Sequence, residues 1–186
     1  MNTSWLLFSY KMPPEPAKAR VALWRRLKAM GAVYLQNGVC LLPRTDNHVR
    51  RLKMLEQTVQ EANGECVILE ATALDRRQQE AVVARFKADR DEEYLELLGK
   101  CDDFEAEIAR ETAASHFTYA ELEENDAELK KLKKWFEKIR HLDFYQAERA
   151  EATAARLAAC DALLDAYAQR VFEAQDENTP LKNEPE

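Results

Sequence analysis

The chain has 186 residues, with 34 acidic and 27 basic side chains, a net charge of −7 and 46% hydrophobic content. That content supports a packed core and excludes wholesale disorder. No run of about 18 apolar residues occurs, which excludes a transmembrane helix of that length.

The charge is unevenly spread. Residues 1–74 carry ten Lys/Arg and six Asp/Glu, a net +4, and residues 75–186 carry the remaining −11. Three of the four glycines (Gly31, Gly38, Gly64) fall in the first part. The expected organisation is a first domain over 1–74, a helical bundle or arm over 75–174 and a disordered tail over 175–186.

Trp5 to Tyr10 (WLLFSY) is a short apolar run closed by Pro13, Pro14 and Pro16, and it reads as a buried strand. Ala17 to Met30 is helical, with Gly31 suited to its C-terminal cap. Ala32–Gln36 and Val39–Leu42 are strand-like and flank Asn37-Gly38. This is a hairpin signal, because a type I′ turn needs positive φ at both central residues. Asp46 to Asn63 reads as a second helix ended by Gly64, with Cys66 to Ala71 as a fourth strand. The order β-α-β-β-α-β predicts a ferredoxin-like sandwich within an α+β chain, followed by an all-α antiparallel bundle or arm.

From Asp75 onward no strand signal remains. Asp75 to Gln78 resembles a capping box. Val83, Phe86, Arg90, Tyr94, Leu97, Cys101, Phe104 and Ile108 follow 3,4 spacing, a seam interrupted at Arg90. Thr118 to Glu121 caps the next helix, whose seam runs Leu122, Leu129, Leu132, Phe136, Ile139. Asp143 and Phe144 mark a bend before an alanine-rich helix from Ala147 to Ala174. Such seams serve a bundle more often than a dimer.

No GxGxxG, Walker A, GxSxG or HExxH pattern occurs, and His48, His116 and His141 lack metal-ligand spacing. No enzymatic activity, cofactor or metal is expected. Cys40, Cys66 and Cys101 read as small core residues, while Cys160 is expected to be exposed. With no CxxC, reduced thiols and a cytoplasmic location are expected; residues 1–12 lack the flanks of a secretory signal. Val39–Leu42 offers no aromatic ring for base stacking on the sheet.

The basic residues say more. On a helical wheel, Lys18, Arg25, Arg26 and Lys28 cover the outer arc of the first helix. Ala19, Leu23, Trp24, Leu27 and Met30 form the inner arc. Arg20 falls on the apolar side, as a snorkelling or acid-paired residue or as an anion-binding one. Arg44, Arg50, Arg51 and Lys53 add charge at the second helix. Together, Arg20, Arg25, Arg26, Lys28, Arg44, Arg50, Arg51 and Lys53 form a candidate phosphate or oxyanion footprint. Docking of the acidic half on the basic half explains such a patch equally well.

The stretch Arg20-Val-Ala-Leu-Trp-Arg-Arg-Leu-Lys28, then Gly31-Ala32 and Asn37-Gly-Val-Cys-Leu-Leu-Pro43, resembles the N-terminal region of the chromate-resistance regulator ChrB. The likeness continues through Phe117–Glu124, the Leu132-x-x-Trp135-x-x-Lys-Ile139 stretch and Asp143-Phe144. The hairpin segment also resembles the Cas2-like middle domain of PaaX-type repressors. The resemblance implies a bacterial cytoplasmic regulator linked to chromate resistance and associated with DNA. It also implies a further chromate-sensing C-terminal domain, not included in these 186 residues. Only Arg20, Arg25 and Lys28 of the matched first-helix motif qualify as anion contacts, with the others assigned to the core. Expected partners are DNA, a separate protein carrying the sensing domain and a second copy of the chain; no membrane is expected. The competing readings are an assembly module without nucleic-acid binding and a thiol-dependent chromate reductase using Cys160.

Overall fold

The computed structural model describes residues 3–177. Its elements are β1 (Ser4–Lys11), α1 (Ala17–Lys28), β2 (Val33–Gln36), β3 (Val39–Pro43), α2 (Asp46–Glu61), β4 (Glu65–Thr72), α3 (Arg76–Ala113), α4 (Tyr119–His141) and α5 (Ala150–Glu177). The chain is α+β, with one four-stranded sheet in the order β2-β3-β1-β4, in which every neighbouring pair is antiparallel. No helix among the described residues is long and apolar enough to cross a membrane.

The turn chemistry explains most boundaries. Gly31 has φ +83°, and a Cβ there would lie 2.7 Å from the Phe144 ring. Thr45 caps α2 by accepting from the His48 amide at 3.0 Å. Asp75 accepts from the Gln78 amide at 2.8 Å and Thr118 from the Glu121 amide at 3.3 Å, so both expected N-caps form. The β2–β3 turn differs from expectation. Gly38 has φ +73° but Asn37 is not left-handed, so the turn is not type I′; a register shift between Tyr34 and Gln36 accompanies it.

The described chain forms two compact units. The first joins residues 3–89 to Leu142–Gln146, and the second joins Arg90–His141 to residues 147–177. In the first unit, Leu6, Phe8, Cys40 and Leu42 meet Leu23 and Leu27 of α1, Met30 just after it, and Leu52, Leu55 and Val59 of α2. The other sheet face presents Trp5, Val33 and Leu41 to Phe86, with Val82, Val83, Phe144 and Tyr145 around them. Trp5 Nε1 donates to Tyr145 Oη at 2.9 Å. The Asp143–Phe144 bend is therefore part of this unit's core rather than a simple connection.

In the second unit, Tyr94, Leu97, Cys101, Phe104 and Ile108 of α3 share one core with Leu129, Leu132, Phe136 and Ile139 of α4 and Leu157, Cys160, Leu164, Tyr167 and Val171 of α5. The single seam of α3 thus serves two cores, with the change at Asp89/Arg90. Arg90 itself is buried, its guanidinium 3.2 Å from Glu93. Helix α5 runs to Glu177, three residues beyond the expected end. The rest of the expected disordered tail lies outside the described residues.

Candidate functional site

Helix α1 holds five basic residues and no acidic one. Its buried stripe is only Leu23, Leu27 and, just beyond the helix, Met30. Trp24, one residue from Leu23, is rotated about 100° off that stripe. It is 48% exposed, which corrects its assignment to the inner arc. Arg20 lies one helical turn before Trp24 and is likewise exposed rather than on the buried side. The buried positions follow i, i+4, i+7 spacing in one row, and the flanking positions reach solvent.

The eight cations divide by their partners. Lys28 Nζ is 2.9 Å from Asp89, and both side chains are half-buried. Arg44 is 2.8 Å from Asp46 and 3.6 Å from Glu70, and these carboxylates hold its guanidinium above the usual arginine value. Lys53 is 3.0 Å from Glu56. Arg26 donates to the neutral Thr58 hydroxyl at 3.2 Å, so its charge is uncompensated. Arg20, Arg25, Arg50 and Arg51 are exposed and pair with no described carboxylate. Five of the eight thus remain as uncompensated positive charge on α1 and α2, the helix layer covering one sheet face.

Beside this layer lies a groove of about 460 Å³ lined by Tyr10, Met12, Arg20, Val21, Trp24, Asn37 and Gly38. Gly38 is required there: a Cβ would sit 2.5 Å from the Tyr10 carbonyl oxygen. The Tyr10 and Tyr34 hydroxyls are 2.7 Å apart. Burial raises the pKa of both above the ordinary tyrosine value, so the pair is a neutral hydrogen bond. An exposed indole, an unpaired guanidinium and no carboxylate in the lining suit an anionic ligand with an apolar or planar part. A larger groove of about 730 Å³ in the second unit is lined by Glu123, Asp126, Asp161 and Asp165, among others, and its charge repels anions.

Of the other reactive groups, Cys40, Cys101, Cys160 and His48 are buried. Cys160 is fully buried, contrary to its expected exposure, because it lies between Leu157 and Leu164 on the inward stripe of α5, while Ala155, Ala158, Ala159 and Ala162 face solvent. Burial, the largest cause, pushes its thiol up to about 12. Cys40 is likewise pushed to about 12, while Cys66 is only half-buried. His48 is buried against Phe144, with Nδ1 2.8 Å from the Pro43 carbonyl oxygen, and burial lowers its pKa. Among the described residues no three His, Cys, Asp or Glu side chains converge as metal ligands. Sequence reasoning missed the exposure of Trp24 and Val21 and the Tyr10–Tyr34 pair. The alternation of β1 carried a signal for the tyrosine, since Leu6, Phe8 and Tyr10 share one face.

The family model for the N-terminal region of protein ChrB matches residues 20–178, from within α1 to the end of α5, and includes all eight candidate cations. The chain belongs to the ChrB N-terminal family. Protein ChrB of Cupriavidus metallidurans (strain CH34) is 33% identical over 97 residues, which are 52% of this chain and 29% of that relative. The chain thus aligns with less than a third of the relative's length. The family match begins at Arg20, so the exposed arginine and indole of the groove lie inside it.

Proposed function

We propose that this chain is the N-terminal module of a non-enzymatic, cytoplasmic regulator of chromate resistance, contacting nucleic-acid phosphates through Arg20, Arg25, Arg26, Arg50 and Arg51. The observation that carries the reading is the separation of the cations: those three residues of α1 and two of α2 have no carboxylate partner among the described residues, while Lys28, Arg44 and Lys53 are already paired. Trp24 beside them offers a planar surface to a base or sugar. The strand order β2-β3-β1-β4 with α1 and α2 on one face supports a ferredoxin-like reading of the first unit. The family resemblance supports the link to chromate and a sensing domain elsewhere as functional partner. Binding to duplex DNA that weakens steeply as salt rises supports the reading. Absence of binding at low salt refutes it and favours the assembly-module alternative.

A further inference from the structure

Strand β4 is an edge strand, paired on one side to β1 and with no described strand on the other. Its Val67 and Leu69 are 52% and 53% exposed. Edge strands of soluble proteins are usually protected by charge, proline or a bulge. Here the eight-residue strand pairs with β1 without a register break, and the centre of its exposed face is aliphatic.

We infer that β4 pairs antiparallel with β4 of a second copy of this chain about a two-fold axis at Ile68, making one continuous eight-stranded sheet. A two-fold axis normal to the sheet keeps each face on its own side, so opposed residues must have numbers of equal parity. Three axes use the centre of the strand. An axis at Val67 gives one Val–Val pair and leaves both leucines against Glu65. An axis at Leu69 gives one Leu–Leu pair and leaves both valines against Ala71. The axis at Ile68 sets Val67 against Leu69 twice, Glu65 against Ala71 and Glu70 against Cys66. No like charges are opposed, and the two bulky cross-strand pairs stabilise the sheet. Glu70 is also compensated within its own chain, accepting from the Ser4 hydroxyl at 2.8 Å and lying 3.6 Å from Arg44. The interface is isologous and closed, so it stops at a dimer. Its length is short for a protein interface, so association in the micromolar range is expected.

The test is sedimentation of the full 186-residue chain through the micromolar range, with cysteine cross-linking to read the register. The wild type is expected to shift from monomer to dimer, and Val67→Lys with Leu69→Lys to stay monomeric with unchanged far-UV circular dichroism. Met54→Lys, at an exposed apolar position on α2, controls for general surface change and is expected to dimerise. Under oxidation, Val67→Cys with Leu69→Cys is expected to form a covalent dimer, whereas each single substitution is not. A wild type monomeric throughout, a dimer that survives the double lysine change, or cross-linking by Leu69→Cys alone overturns the proposal.

Discussion

The sharpest prediction concerns salt. Each phosphate neutralised by a protein cation releases condensed counterion, so log affinity falls with log salt at about 0.9 per contact on duplex DNA. The structure supplies five uncompensated cations on α1 and α2. If all five contact phosphates, the slope is about −4.5, a loss of about 500-fold between 50 and 200 mM salt. Removing two, by Arg25→Ala with Arg26→Ala, is expected to lower the slope to about −2.7. Lys28→Ala and Arg44→Ala are expected to leave it unchanged, because Asp89, Asp46 and Glu70 already hold those charges. The assay is fluorescence anisotropy of a labelled duplex titrated at several potassium chloride concentrations, for wild type and each variant. A flat salt dependence refutes the reasoning. So does a slope that falls as much with Lys28→Ala as with an unpaired arginine, since pairing would then have no bearing on binding.

Other outcomes follow from the two cores. His48 has a lowered folded-state pKa, so the unfolded chain takes up its proton first. Its contribution to stability is full above about pH 6.5 and is lost as pH falls below that towards the lowered folded value. Urea denaturation across pH 5–8 checks this, with His48→Gln expected to flatten the dependence. Phe86→Ala is expected to destabilise the first unit by about 3–5 kcal/mol, measured by chemical denaturation, because the ring is buried against Trp5, Phe144 and Tyr145. In thiol titration of the native protein only Cys66 is expected to react promptly, with Cys40, Cys101 and Cys160 reacting after unfolding.

The sequence made the strands legible because each break has its own chemistry: Gly31 beyond α1, Gly38 in the hairpin and Gly64 beyond α2. It also exposed the α3 seam, but not its division. Phe86 and Tyr94 have the same spacing logic, yet they serve different cores, because periodicity marks the buried face of a helix and not what buries it. Trp24 was misread for a related reason. A helical wheel treats every apolar residue as core, whereas the width of the buried stripe depends on the surface it packs against. Cys160 was misjudged in the opposite sense, because the alanine content of α5 drew attention from the 3,4 spacing that puts Cys160 on one stripe with Leu157 and Leu164. The cations themselves were readable, but their division into paired and unpaired was not. Asp89 lies 61 residues from Lys28 in sequence, and no local pattern connects them.

The return of Leu142–Gln146 to the first unit has a consequence for synthesis and dissection. The β-strands emerge first, but Tyr145, which accepts the Trp5 indole hydrogen, follows more than fifty residues after Asp89. During translation the sheet must therefore wait, with the face around Trp5 only partly covered, until α4 has been made. For the same reason no single cut separates the units intact. A fragment ending at Asp89 lacks Phe144 and Tyr145, and excision of the second unit requires a linker from Asp89 to Leu142.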